Sequence, residues 1–494
     1  MNLFDKEILR GYNFLKRKAI RCATKGRVDE SIAWVKHACN VANELNWMYY
    51  DEDLSSLMDT LSSHMLSACG TEFKPQKNRV VFYDQYGKYF ILALQYLNAL
   101  VEAGYEILYI LSDYVPADEK TFIVDDLRQN PHIQVEVIPL SLSYWERATR
   151  IQQLTLDFAP EKIFLHVKMF SAFNLVLPSL SRTIQTYYID LQDHAMWIKN
   201  HQIDFVMPYR VFGATIDIEK RGFRPEQVLL MPYYPIVIKN EFLGFPKETE
   251  GKVIIFTGGD FYKTVDSDNT YWSLLKQILT SNPSAMVLYG GKGGDKELKK
   301  KVKAEFEDTP EIAKRFMLLP FRTDINEVFR HCDIYLATTP MSGGLMCQYA
   351  AVNAKPILQF YPPQLASNNE TEQVINFNGE AQISYTNKED FLKEAKRLIE
   401  DTAYRKARGE ELQKNIIKDR QFNELFARTI STNANQCAYE LEFINYEALV
   451  NWWLSLEHIS LFTTRNYLLS LLGKKKYIYM PLSTINKITN LNKV

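Results

Sequence analysis

The stretch NRVVFYDQYGKYFILALQYLNALVEAGYEILYIL, residues 78–111, carries the reading of the whole chain. A β-branched and aromatic run, Arg79 to Tyr83, breaks at a turn around Gly87. Apolar residues then recur at helical spacing up to Gly104, and a second strand-like run fills Ile107 to Leu111. Branched and aromatic side chains suit a pleated, half-buried surface, whereas a three-to-four-residue spacing suits one face of a helix. A chain that switches strand, helix, strand within ~30 residues is a βαβ unit, and its two strands run parallel.

Working outward, IQVEVIP, EKIFLHV and TIQTYYIDL supply further strands, and another ends near Arg210 in MPYR. They predict a doubly wound domain over residues 76–240. A linker rich in Pro, Lys and Glu, YYPIVIKNEFLGFPKETEGK, follows. A second alternating series then runs through VIIFTGG, SAMVLYGG, RFMLLPF, DIYLATT and PILQF, which predicts a second domain of the same kind over residues 250–432. Residues 1–75 and 433–494 carry helical spacing, with Lys25-Gly26-Arg27 as a turn in the first segment. The expected fold class is α/β: two Rossmann-like doubly wound domains facing a cleft, with helical extensions at both ends. Open sheets bind ligands beyond the carboxyl ends of their strands, so the cleft is the expected site.

Composition narrows the function classes. At 494 residues the chain exceeds the size at which one core keeps growing, roughly 250–300 residues. The 58 basic side chains nearly match the 59 acidic ones, which argues against binding driven by a polyelectrolyte field, nucleic acid above all. Six scattered cysteines (22, 39, 69, 332, 347 and 437) form no C-x-x-C pair, so a disulfide framework or zinc site is not expected. No continuous apolar segment reads as a signal peptide or membrane span, and a cytoplasmic location is expected. Lys474, Lys475 and Lys476 beside Tyr477 and Tyr479 could meet anionic lipid at the inner face of a membrane; core packing of the preceding helices is the plainer reading.

The chemistry concentrates in DIYLATTPMSGGLMCQYAAVNAKPILQF, from Asp333 to Phe360. A strand from Asp333 to Thr338 and a helix from Gly344 to Ala354 would put Ser342, Gly343 and Gly344 at the joining turn. Unpaired amides and the positive end of the helix dipole make such a turn an anion seat. Glycine allows a close backbone approach, and Ser342 would cap the helix or offer its hydroxyl to the same anion.

The order FTGGDFYK, NPSAMVLYGGKG, RFMLLPF and DIYLATTPMSGGLMCQYAAVNAKPIL resembles the donor-binding half of GT-B nucleotide-sugar glycosyltransferases, especially bacterial relatives of O-linked N-acetylglucosamine transferase. The likeness is close over residues 253–360 and looser over the first domain. It implies that Lys263, after Gly258 and Gly259, contacts the diphosphate, that Pro320, Phe321 and Arg322 border the base, and that Ser342, Gly343 and Gly344 hold the phosphates. It also implies an acidic residue for the ribose hydroxyls in the following helix, where this chain has Tyr349. A neutral hydrogen bond, a shifted helix or a degenerate donor site would each account for that departure. No metal or other cofactor is expected, because fixed dipoles and a lysine charge stabilise the leaving group.

In the first domain, IDLQDHAMWIKNHQIDFVMPYR is expected to join a strand through a short helix to another strand, and it resembles the DH turn of the same branch. His194 is the expected base, with Asp193 orienting it. His201 stays unassigned. Gly87 and Lys88 are candidate acceptor or phosphate contacts, Asp84 is an alternative base, and Arg210 supplies charge near the leaving phosphate or forms a surface ion pair. Asp266 and Asp268 spell D-x-D but sit before a helix, where capping is expected.

The resemblance implies a metal-independent, inverting transferase that moves a sugar from a UDP-sugar, UDP-GlcNAc or similar, to a hydroxyl on a protein or a lipid-linked or cell-surface glycan. Two other readings stay open: a non-catalytic subunit that stabilises a partner transferase, and a nucleotide-sugar epimerase. Homo- and hetero-oligomers both remain open.

Overall fold

The computed structural model describes residues 3–42, 48–63, 65, 73–86, 90–112, 126–180, 182–291, 296–459, 467–468 and 470–471. Two six-stranded sheets, parallel throughout, form two lobes. The first is built from β1 (Gln76–Asp84), β2 (Glu106–Leu111), β3 (Ile133–Val137), β4 (Pro160–His166), β5 (Gln185–Asp190) and β6 (Phe205–Pro208), in the order β3-β2-β1-β4-β5-β6. The second holds β7 (Val253–Gly258), β8 (Ala285–Gly290), β9 (Phe316–Leu319), β10 (Ile334–Leu336), β11 (Ile357–Phe360) and β12 (Ser384–Tyr385), ordered β12-β11-β10-β7-β8-β9. In each sheet the order reverses beside the first strand of the lobe, which is where such sheets open a crevice.

Alternate side chains explain why both faces are covered. In β1, Val81 and Tyr83 join a core that also contains Ile8, Leu15, Ile32, Val35, Leu54 and Met58 from the amino-terminal helices. Val80 and Phe82 face the opposite core, with Tyr96 and Leu97 of the helix Phe90–Glu102. That second core is completed by Phe422 and Phe426 of the helix Asp419–Thr432, which comes after the second sheet in sequence yet packs on the first. Tyr96 meets their rings edge-on at 5.3 and 5.5 Å.

A smaller apolar seam draws on four parts of the chain: Tyr49 from the amino-terminal segment, Phe212 and Ile216 from the first lobe, Tyr361 and Leu365 from the second, and Ile444 and Leu449 from the carboxyl-terminal segment. The Glu442 amide donates to Thr215 Oγ1 at 3.2 Å, and Gln373 Nε2 donates to the Glu442 carboxylate at 2.9 Å, so the same segment is bonded to both lobes.

Two expected helices are corrected. Residues 191–204 form turns and extended chain, with no helix between β5 and β6. The carboxyl-terminal helix begins at Tyr446, more than ten residues after Asn433, and residues 436–445 run without helix or strand. Among the described residues no helix is long and apolar enough to cross a membrane. Residues 474–479, the basic-aromatic segment, lie outside the described residues.

Candidate functional site

In the second lobe the site is assembled from the ends of β7 and β10. Gly258 closes β7 at φ 154°, and a β-carbon there would stand 1.9 Å from the Gly290 carbonyl oxygen on β8. Only glycine fits so close a crossing. The chain then makes a single turn, Phe261–Thr264, which carries Lys263 back over Gly259. A β-carbon at Gly343 would lie 3.5 Å from Lys263 Nζ, so the ammonium rests on the glycine turn. Lys263 is half-buried, and no salt bridge among the described residues involves it.

The helix Gly344–Val352 starts immediately beyond. Its N-cap is Gly343, without a side-chain cap, so Ser342 is not the cap anticipated from the sequence. Ser342 instead shares a 2.7 Å hydrogen bond with Thr371. The first-turn amides have no intrahelical acceptor, and the dipole adds positive potential where the lysine already sits.

Tyr349 lies one turn further along, buried, with its hydroxyl donating to the Ile236 carbonyl of the interlobe linker at 3.2 Å. Gln348 Nε2 donates to the Tyr233 carbonyl at 2.7 Å. Tyr349, at the position where the resemblance implies an acid, and its neighbour Gln348 are thus both bonded to the linker. Past β9, Pro320 and Phe321 are exposed, Phe321 to 65%. Arg322 is held by two bonds to Asp324, 2.7 and 2.6 Å, and by the Gly244 carbonyl at 2.8 Å.

In the first lobe Asp193 is fully buried and chelated by Arg210, Nε to Oδ2 at 2.5 Å and Nη2 to Oδ1 at 2.9 Å. Burial alone would raise the Asp193 carboxyl, but the Arg210 charge, the His194 contact and their hydrogen bonds outweigh it and hold the group well below the usual carboxylate range. His194 turns Nδ1 toward Asp193 Oδ1 at 3.4 Å and leaves its side chain 37% exposed. Arg210 is therefore neither a free cation nor a surface partner. It is a buried ion pair whose Nη1 also reaches the Asn368 carbonyl of the second lobe at 3.3 Å.

The turn bearing His194 is fixed by a residue that sequence reading missed. Arg221, fully buried, donates to the carbonyls of Gln192, Asp193 and Ala195 at 3.2, 3.0 and 2.7 Å, and to Asp190 and Asp217 at 2.7 and 2.8 Å. These three bonds clamp the segment as a turn, in which the Ala195 amide also donates to the Gln192 carbonyl at 2.9 Å, where a short helix was expected.

Asp84 is corrected as an alternative base. It is fully buried and accepts from Tyr109 Oη at 2.6 Å, the Tyr86 amide at 2.7 Å and His166 Nδ1 at 2.8 Å. His201 bonds to Asp59 at 2.6 Å on the amino-terminal helices, away from His194. Asp266 accepts from the Asp268 and Thr270 amides at 3.1 and 2.9 Å, a turn-closing role at the head of the helix Thr270–Ser281. Gly87 and Lys88 lie outside the described residues. Among the described residues no group of three His, Cys, Asp or Glu is arranged to hold a metal ion.

The half-sites meet through Glu370, a second residue absent from the sequence reading. Its Oε1 accepts from Tyr209 Oη at 3.2 Å and Tyr233 Oη at 3.5 Å, and a β-carbon on Gly344 would lie 2.6 Å from it. Contacts thus run from His194 through Asp193 and Arg210 to the Asn368–Glu370 segment and on to the glycine turn.

Two parallel-sheet lobes with a glycine turn and lysine on one side and a histidine turn on the other define a GT-B architecture. No family model and no curated protein matches the sequence. Among solved structures, a variant of the Thermobaculum terrenum O-GlcNAc transferase matches at 13% identity, over 91% of this chain and 85% of that one, with a TM-score of 0.50. Anabaena HepE in complex with UDP matches at 16% identity over 72% and 100%, with a TM-score of 0.50. A Listeria monocytogenes protein assigned as a UDP-N-acetylglucosamine 2-epimerase matches at 11% over 74% and 100%, again at 0.50. At these identities the likeness is one of fold. The chain has the GT-B fold, with its helical extensions packed on the two-lobed body.

Proposed function

We propose that the chain transfers a sugar from a nucleotide diphosphate, UDP first among them, to a hydroxyl acceptor, with inversion at the anomeric carbon. The observation that carries this reading is the Lys263 ammonium, without a salt-bridge partner among the described residues, resting on Gly343 at the head of the helix Gly344–Val352. A diphosphate seated there meets first-turn amides and one cation, which stabilise the charge that develops as the sugar departs. Pro320, Phe321 and Arg322 border the base in this reading.

His194 is the base. Asp193, held ionised by Arg210, orients His194 through Nδ1, and Nε2 takes the acceptor proton in this reading. The acceptor oxygen bonds to the anomeric carbon, the bond from that carbon to the phosphate oxygen breaks with its electron pair, and the acceptor proton moves to Nε2. No step uses a metal ion. Water excluded between the lobes keeps the donor from hydrolysis. The UDP named with HepE supports the choice of nucleotide. The sugar is a hexose or N-acetylhexosamine, and the acceptor hydroxyl belongs to a protein or a lipid-linked or cell-surface glycan.

The test is a nucleotide-sugar screen by thermal stabilisation and slow donor hydrolysis, run on the natural chain, Lys263→Ala and His194→Ala. Lys263→Ala abolishes the donor-induced shift. His194→Ala keeps the shift while transfer falls by about 10²–10⁴-fold. An unchanged shift in Lys263→Ala moves the ligand elsewhere. Interconversion of the donor sugar with no acceptor present replaces transfer with epimerisation, and a natural chain that binds no nucleotide sugar is a partner-stabilising subunit.

A further inference from the structure

The carboxyl-terminal end of the described chain returns to the amino-terminal helices. Tyr467, Leu468, Ser470 and Leu471 are helical, and Tyr467, Leu468 and Leu471 join the core built from the helices Leu3–Ala23 and Val28–Ala42. Leu468 is fully buried, and a β-carbon at Gly11 would overlap its side chain, so the glycine opens the seat. Beside it, Tyr467 Oη lies 2.6 Å from His37 Nδ1 and 3.0 Å from Asn40 Nδ2. A phenol has one hydrogen to give. Asn40 donates to the oxygen, so the Tyr467 proton goes to Nδ1, and His37 is the neutral imidazole with its own hydrogen on Nε2.

The surroundings of His37 favour that form. Its helix neighbours three and four residues away are Ala33, Trp34, Asn40 and Val41, none of them acidic. Trp34 meets the imidazole ring at 5.6 Å and carries Lys18 of the first helix over its own ring at 5.7 Å. Toward the helix Tyr144–Phe158, Lys36 and Arg147 share the Tyr144 ring at 5.4 and 4.1 Å. Of the acids on these elements, Asp29 accepts the Trp145 amide at 3.3 Å, and Asp51 accepts from Tyr12 and Lys16 at 2.6 and 2.9 Å. Burial, and after it the Lys36 charge, push the His37 imidazole below its ordinary value. A proton on Nδ1 would turn that atom from acceptor to donor, leave the Tyr467 hydrogen without its partner and set a new positive charge beside Lys36.

We propose that the His37–Tyr467 contact is an acid-sensitive clasp, which holds the carboxyl-terminal segment on the amino-terminal helices while His37 is neutral and releases it on protonation. The clasp does not rest on the donor reading. Linkage sets its direction. The freed imidazole titrates near 6.5, so docking is constant above about that pH and weakens by up to about tenfold per pH unit below it, until the docked imidazole takes the proton itself.

Hydrogen exchange of the full chain from about pH 5 to 8, corrected for the intrinsic rate, reads the clasp through the amides of Tyr467, Leu468, Ser470 and Leu471 and of the helix turn around Gly11. In the natural chain both sets keep their protection near neutrality and lose it together below about pH 6.5. His37→Asn offers Oδ1 where Nδ1 stood and does not titrate, so its protection stays flat across the range. In Lys36→Gln the acid loss is smaller, because the docked imidazole accepts its proton at a higher pH. Protection in the natural chain that is the same at every pH overturns the proposal. So does an acid loss that persists unchanged in His37→Asn, since another group then titrates. If His37→Asn fails to dock at any pH, Lys36→Gln decides: a reduced acid loss supports the clasp, and a loss equal to the natural one overturns it.

Discussion

Replacing Asp217 by asparagine should cost almost nothing, although Asp217 is as deeply buried as Asp193. Three carboxyls, Asp190, Asp193 and Asp217, face two guanidiniums, Arg210 and Arg221, and all five are buried. One carboxyl is in excess. Burial, and after it the Asp190 charge, push Asp217 well above the usual carboxylate value, and Arg221 does not reverse this. Asp217 therefore keeps its proton, while Asp193, opposite Arg210, stays ionised. The tyrosines beside them, Tyr86 and Tyr188, remain neutral because burial raises both well above their ordinary value. An asparagine at this position would copy the protonated acid and still accept from Arg221, so at about pH 4, where the unfolded aspartate is itself largely protonated, the expected change in unfolding free energy is within about 1 kcal/mol. Asp193→Asn strands the buried Arg210 and should cost ~3–5 kcal/mol. The two carboxyls also titrate with opposite sign. An unfolded aspartate has a pKa of about 3.9. Between that value and the raised value of Asp217 the folded chain holds more protons than the unfolded one, so natural stability falls with rising pH there. The Asp217→Asn variant does not titrate at this site, and its stability relative to the natural chain should climb from pH ~4 upward. The contribution of Asp193 is present above about pH 3.9 and is lost as pH falls through its depressed folded value. Urea unfolding at roughly pH 4.5, 6 and 8, all above the unfolded aspartate value, can be followed through Trp197, which stacks on Tyr188 at 3.9 Å and lies 4.8 Å from the Arg221 guanidinium. Equal costs for the two variants, or a relative stability of Asp217→Asn that falls with pH, would refute the charge assignment.

Gly258→Ala drives a β-carbon into the Gly290 carbonyl at a φ that L-residues avoid, and the pairing of β7 with β8 must give way. A loss of roughly 1–3 kcal/mol in the second lobe is expected, with weakened donor binding because Lys263 follows on the same turn, measured by thermal unfolding with and without UDP. Tyr349→Phe removes the bond to the Ile236 carbonyl and should lower stability by about 0.5–1.5 kcal/mol, measured by urea unfolding. A tenfold or greater loss of donor affinity on top of that would restore the ribose contact that the sequence suggested for this hydroxyl.

The sheets were readable because their strands are short, apolar and separated by glycine, proline or helical spacing, as in Val80–Tyr83 and Val253–Phe256. The glycine turn and Lys263 could be brought together on paper, since strand ends in such sheets converge. What was hidden depends on partners far apart in the chain. Nothing around Asp193 and His194 reveals that Arg221 gathers the carbonyls of Gln192, Asp193 and Ala195, and so the sequence points to a helix where a clamped turn exists. Glu370 sits in the polar run SNNETEQ, which reads as a loop, and its tyrosine partners lie at positions 209 and 233. Ser384–Tyr385, the β12 edge, is too short to leave a periodic trace.

The seam shared by Tyr49, Phe212, Tyr361 and Ile444 works as the spine of the molecule. Pulling the lobes straight apart would expose all its rings and aliphatic groups to water at once, at ~25 cal/mol for each Å² of apolar surface. Swinging them about that line leaves it intact. A swing of that kind would instead break the polar contacts between Arg210 and Asn368 and between the two tyrosines and Glu370.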